Sequence, residues 1–273
     1  MNRTDIARLL NTRDLLIVPT DLGLSNENLL ITADGTDYIW RRPLPGSDSL
    51  DTSHRAEQQA MELAASLDVP TLYYDPETGE KITRRVQAET FGESSRPDRF
   101  RQAGLLLKQL HALEPIDAVF DPFQKLETYR ARTRSPLRFD HEEEILACTR
   151  RLWTPACLCH NDLVPGNILL GDKRSWLIDY EYAATGDPRF DMASFLSENT
   201  ILDPDSRQQF LEACDPGVPS WQVMIFELVA DMIWANWAQM LHEQRQDPVF
   251  ADIRRDKQKH FAKILNKLMD IRN

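Results

Sequence analysis

At 273 residues, 42% hydrophobic and 27% charged, the chain can build one large core or two lobes around a cleft, and its composition excludes disorder and fibres. A formal net charge of −11 argues against nucleic acid or an anionic membrane as partner and suits a cationic small substrate. Four cysteines without C-x-x-C spacing, no apolar run of membrane-spanning length and no signal peptide in residues 1–10 lead to the expectation of a cytoplasmic protein with reduced thiols.

In chain order, residues 15–18 read as a short strand. Residues 28–32 and 37–42 read as a hairpin closed by Asp34-Gly35. Alternation along its second strand puts Arg41 with Ile39 on one face, and Arg42 with Tyr38 and Trp40 on the other. A helix over about 52–67 offers Glu57 and Glu62, and strands at 71–74 and 81–86 follow. The polar stretch 87–96, broken by Gly92, reads as a hinge. Beyond Pro97-Asp98, the residues Phe100, Ala103, Leu106, Leu107 and Leu110 recur at helical spacing, with His111 as a structural residue at the helix end. Charged helices follow at about 123–132 and 141–153.

The stretch 157–191 carries the chemistry. An apolar run, 156–159, leads into His160-Asn161-Asp162. Two further runs, 167–170 and 175–178, flank the turn Gly171-Asp172-Lys173-Arg174, as in a hairpin, and Asp179 follows the second. Phosphoryl transfer to an alcohol needs a carboxylate to accept the hydroxyl proton and oxygen ligands for magnesium on the nucleotide phosphates. Asp162 and Asn167 stand at the D-x-x-x-x-N spacing of a kinase catalytic loop, so Asp162 is the candidate base and Asn167 a neutral Mg²⁺ ligand. Asp179 is the candidate anionic ligand. One carboxylate and one amide are a sufficient protein share for a metal that keeps several waters. Beyond Asp179 the chain reads as helical to its end, including a long apolar helix over about 219–242 and a basic one over about 250–269.

The segment His160 to Asn167, HNDLVPGN, followed by Ile178-Asp179-Tyr180-Glu181-Tyr182-Ala183, resembles the choline/ethanolamine kinase family, and within it the bacterial choline-kinase-like branch. That family belongs to the aminoglycoside-phosphotransferase-like relatives of protein kinases. The resemblance implies an α+β, protein-kinase-like two-lobed fold: a small β-rich N-lobe over 1–87 and a larger helical C-lobe over 88–273, with 88–96 as hinge. It implies a nucleotide loop at 22–28, with Ser25, Asn26 and Asn28 near phosphates. Arg41 would clamp the α- and β-phosphates, with Arg42 as the fallback, and Glu57 would hold the arginine in place. His160 supports the loop, Asp191 braces it, and Glu198 faces the cationic head of the substrate. Trp234 and Trp237, i and i+3 on the late helix, would wall the substrate pocket beside Asp162. The activity implied is ATP- and Mg²⁺-dependent phosphorylation of choline to phosphocholine. Another small cationic alcohol (ethanolamine, thiamine or an aminoglycoside) is the alternative substrate, and an inactive binding module the alternative class.

Overall fold

The computed structural model describes residues 1–20, 23, 26–44 and 52–272. It opens on a helix that the sequence did not announce, α1 (Arg3–Leu9). Seven residues carry too little periodicity to read, but the local chemistry is clear. The Asn2 side chain accepts from the Thr4 and Asp5 amides, and Asp5 returns a bond to the Asn2 N–H, closing a capping box.

Strands β1 (Leu15–Pro19), β2 (Asn26–Ala33), β3 (Thr36–Pro43), β4 (Thr71–Tyr74) and β5 (Lys81–Arg84) form one antiparallel sheet in the order β1-β2-β3-β5-β4. Its register is set at the β2–β3 turn, where Asp34 and Gly35 have φ of 48° and 75°, the left-handed pair a two-residue hairpin loop demands. Asn28 thereby lies opposite Arg41. One face of the sheet closes a small core of Ile6, Leu15, Leu29, Ile31, Trp40 and Ile82. Helix α2 (His54–Leu63) starts on a Ser53 cap and stops short of the expected 67, because the Leu67 and Asp68 amides both turn back to the Ala64 carbonyl.

The stretch expected as a hinge holds a two-residue strand, β6 (Glu89–Thr90). It pairs with β8 (Ile168–Leu170), and the Phe91 amide adds a 2.8 Å bond to the Ile168 carbonyl. The helical body comprises α3 (Arg99–Leu110), α4 (Pro122–Ala131), α5 (Glu142–Leu152), α6 (Pro188–Glu198), α7 (Pro204–Cys214), α8 (Ser220–Arg245) and α9 (Pro248–Arg272). Helix α8 is apolar almost all round and runs through the main core. β8 pairs with β9 (Ser175–Leu177), as the hairpin pattern requires.

The chain after Asp179 is not helical throughout. A strand, β10 (Ala184–Gly186), pairs antiparallel with β7 (Cys157–Cys159), and three residues are too few to show a period in sequence. All four cysteines are free, and the Cys157 and Cys159 sulfurs lie 3.9 Å apart on one side of β7. Among the described residues no helix is long and apolar enough to cross a membrane.

Candidate active site

The loop after β7 is held from below. Both oxygens of Asp191, buried in the first turn of α6, accept backbone N–H groups: His160 at 2.8 Å and Asn161 at 2.7 Å. Asn161 takes a left-handed conformation, φ 65°, and its amide donates to the Tyr182 carbonyl at 3.0 Å. The His160 ring contacts the Ile178 carbonyl at 2.9 Å and lies against Tyr180, and burial pushes its pKa down. His111, at the end of α3, sits 2.9 Å from Asp191. Burial alone would lower its pKa, but its bonds to Asp191 and Cys214 outweigh that and push it up to about 10. His111, Cys159 and Asp191 are the group of ligand-type side chains that converge within 4.8 Å among the described residues. Since the Asp191 oxygens already accept two backbone amides, we read the group as a brace.

Asp162 emerges from that loop. The Asn167 side-chain nitrogen donates to the Asp162 carbonyl at 2.9 Å and to its carboxylate at 3.1 Å. The amide nitrogen is thus engaged with Asp162, which leaves the oxygen as the atom Asn167 can offer a cation. The Ile178 amide bonds to the Asn167 carbonyl at 3.0 Å, so the β8–β9 hairpin delivers Asp179 beside Asn167. Asp179 is also left-handed, φ 67°.

From the N-terminal sheet, Arg41 reaches across to this hairpin. Its Nη1 lies 2.6 Å from the Asp179 carboxylate, while Nη2 donates to Glu57 at 2.7 Å and to the Gly79 carbonyl at 2.9 Å. The Arg41 Nε–H is buried with no partner. Arg42, by contrast, lies on the outer face, paired with Glu27 and over the Trp40 ring. The sequence missed Lys81, whose buried ammonium lies 3.2 Å from Glu57. Burial would raise the Glu57 pKa, but Lys81 and then Arg41 hold it at about 2. Glu57 is therefore a fixed anion between two cations.

The acids of the cleft are less well matched. Glu181, also missed from sequence, accepts from the Asn26 side chain at 3.3 Å, and burial, then the Asp179 charge, push it up to about 7. Burial, then the charges of Glu181, Glu198 and Asp179, raise the Asp162 carboxyl well above the ordinary range. Arg41 is the cation that reaches this corner, and the ligand atoms that Asp179 and Asn167 can offer are hard oxygens. Such a set fits a divalent cation of the magnesium type. Asn28 stands on β2 opposite Arg41, and Ser25 lies outside the described residues.

On α8, Trp234 and Trp237 meet edge to face with centroids 6.1 Å apart. Trp234 is buried against Tyr182 and Tyr129, whereas Trp237 is half-buried against Phe250. Both indole N–H groups are buried and unpartnered. Lys125 places its ammonium within 5.7–5.9 Å of the Tyr182, Phe120 and Tyr129 ring centres, and helps line a cleft of about 180 Å³ with Glu181 and Ser53. Glu198, expected to face the cationic head of a substrate, already has a cation beside it. Lys257 of α9 lies 2.8 Å from it, because α9 folds back and brings in a cation that no local pattern near Glu198 could show.

A paired arginine and aspartate across a cleft, with an Asp–Asn loop beside them, is an arrangement that family comparison can decide. Residues 17–226 match the model of the phosphotransferase enzyme family. The chain belongs to that family. This phosphotransferase is 30% identical over 190 residues to protein LicA of Haemophilus influenzae, a match covering 64% of this chain and 56% of LicA. The chain thus spans little more than half the length of that relative. Its fold is similar to that of the choline kinase LicA from Streptococcus pneumoniae, with a TM-score of 0.78, 24% identity, and 95% and 97% of the two chains covered. It is also similar to a choline/ethanolamine kinase family protein from Mesorhizobium loti, with a TM-score of 0.73, 22% identity, and 97% and 98% covered. The fold is protein-kinase-like, with a small sheet-rich lobe and a larger helical one.

Proposed function

We propose that this phosphotransferase moves the terminal phosphoryl group of ATP to the hydroxyl of choline. The observation that carries the reading is the convergence of Asp162, Asn167 and Asp179 with the Glu57–Arg41 pair from the opposite lobe. Asp162 accepts the hydroxyl proton. Arg41, oriented by Glu57, has an unused buried N–H directed by its guanidinium plane and clamps nucleotide phosphates. Asn26 and Asn28, in the first residues of β2 rather than in a loop, would contact those phosphates. Mg²⁺ held by the Asn167 oxygen and the Asp179 carboxylate would supply positive charge to the phosphate oxygens during transfer. A binding-only module would need neither a base nor oxygen ligands for a metal.

The acceptor follows from what the substrate side lacks. Tryptophan has no hydrogen-bond acceptor for the three N–H groups of ethanolamine, but its ring face attracts a quaternary ammonium, which has none to donate. The excess of carboxylates near Asp162 favours a cation in the same place. That the LicA of Streptococcus pneumoniae is a choline kinase agrees with this assignment.

The test is a competition assay. Choline should show a higher kcat/KM than ethanolamine, and Trp237→Ala should raise the choline KM by about 2- to 30-fold, the worth of one ring contact, with a smaller change in the nucleotide KM. Equal or better kcat/KM for ethanolamine overturns the choline assignment.

A further inference from the structure

The mechanism above leaves one buried set of charges unused. Lys257, buried on α9, donates to the Ser197 hydroxyl at 2.9 Å, and Ser197 in turn donates to Asp231 at 2.6 Å. The His260 ring lies 2.7 Å from the other Asp231 oxygen and 3.7 Å from Glu227, which Arg207 grips with both nitrogens. Helices α6, α7, α8 and α9 are thus joined by one run of buried ion pairs and hydrogen bonds. The ammonium meets Glu198 as an ion pair at 2.8 Å, without the alignment of a hydrogen bond. Ser197 holds Lys257 in place, and Glu198 feels its charge.

Two observations connect this pair to the reacting end of the cleft. Glu198 is the last residue of α6, and its neighbour Asn199 donates to the Leu163 carbonyl, next to Asp162, at 2.9 Å. The Glu198 charge is also felt at Asp162, where it counts ahead of Asp179. The groups facing Asp162 are Glu181, Glu198, Asp179 and Asn167, and the one cation facing Glu198 among the described contacts is Lys257. A network that served stability alone could end anywhere. This one ends at Glu198, beside the Asn199–Leu163 bond that ties α6 to the Asp162 loop.

We propose that Lys257 is a positioning residue for substrate choice: its ammonium offsets the Glu198 carboxylate and so limits how strongly the site prefers a cationic alcohol to a neutral one of the same shape. The inference rests on the cationic-alcohol reading and deepens it. Lys257 holds the site's charge to a value that suits a single cation, leaving the ring faces to set shape.

The experiment uses the full chain with choline and 3,3-dimethyl-1-butanol, its neutral isostere with carbon in place of nitrogen. The readout is the ratio of their kcat/KM values. Because both are measured on one preparation, any loss of folded enzyme cancels, so a merely structural role would not move it. Lys257→Met should raise the ratio about 3- to 10-fold, since the Glu198 charge is no longer offset. Glu198→Gln should lower it by a similar factor, because the ammonium then stands unopposed. The double variant should return to within about twofold of wild type, and Lys257→Arg should keep the wild-type ratio. Should Lys257→Met fail to fold, the Glu198→Gln and Lys257→Arg arms carry the test. An active wild type whose ratio moves less than about twofold in the folded single variants overturns this inference alone. A wild type that phosphorylates neither compound overturns the cationic-alcohol reading, and this inference with it.

Discussion

Two buried charge networks flank Asp162, and they are built differently. On the nucleotide side, Arg41 joins Glu57 and Asp179, and Lys81 joins Glu57, so two cations face two anions across the cleft. Asp179 remains 28% exposed there, and Arg41 keeps a spare N–H. On the α6–α9 side, Arg207, Glu227, His260, Asp231, Ser197 and Lys257 are all buried within the helical lobe. The first network is open at one end and can exchange partners with a ligand. The second is almost wholly buried, and Glu198 is the group through which it approaches Asp162. Burial of charge thus serves two ends here: one network presents its groups, and the other sets a background field.

The ground between the networks offers the largest effect. Asp162→Asn keeps the shape and the Asn167 contact but cannot take a proton, so kcat should fall by about 10²- to 10⁴-fold with nucleotide affinity little changed. A steady-state kcat within about threefold of wild type would remove Asp162 as the base. Next comes the buried arginine of each network. Arg207→Met strands the buried Glu227 and should cost about 3–5 kcal/mol in denaturant unfolding, whereas Arg41→Met leaves Glu57 its Lys81 partner and Asp179 partly exposed and should cost less. Only Arg41→Met should weaken nucleotide binding in a titration. Equal loss of nucleotide affinity in both variants would erase the distinction between the networks.

A smaller effect concerns the brace under the Asp162 loop. His111 has its pKa raised to about 10 in the folded protein, above the ordinary histidine value, so the native state holds a proton that the unfolded chain releases. Its stabilisation is complete below about pH 6.5 and is lost as pH rises toward 10, with a slope of up to ~1.4 kcal/mol per pH unit. Unfolding curves at pH 6.5, 8 and 9.5 should show that decline, and His111→Gln should flatten it. A wild-type stability that holds level or rises over this window would contradict the assignment. The smallest effect belongs to Arg42→Ala. Its partner Glu27 and the arginine are each about two-fifths exposed, so solvent screening limits the loss to at most ~1 kcal/mol, and nucleotide affinity should not move. A larger nucleotide loss from Arg42→Ala than from Arg41→Met would shift the phosphate clamp by one residue.

Most of this arrangement was legible where it is local. The Asp34-Gly35 turn, the β8–β9 hairpin and the Asp162–Asn167 spacing each depend on residues within one loop, and strand alternation alone separated Arg41 from Arg42. What the sequence hid is long-range or very short. Lys81 meets Glu57 from 24 residues away, and Lys257 reaches the Ser197 hydroxyl across 60. A lysine in a strand or a charged helix looks the same whether it ends in water or against a carboxylate. Strand β10 and helix α1 are too short for a period, and β6 hid within a polar stretch that looked like a free connector.

The left-handed backbone at Asn161 and Asp179 has a consequence for how this protein can change over evolutionary time. An ordinary side chain loses roughly 1–2 kcal/mol in that conformation, and a β-branched one more, while glycine, asparagine and aspartate tolerate it. Drift at both positions is therefore biased toward those three residues before any chemistry is considered, although His141, Thr200 and Gln246 show that other side chains can bear the same backbone shape at a cost. Asparagine at 161 can persist for its backbone shape and its bond to Tyr182 with no part in catalysis. At 179, a lineage that gave up phosphoryl transfer could still pass through asparagine or glycine without unfolding, and the first visible trace of lost activity would be a change that leaves the fold intact.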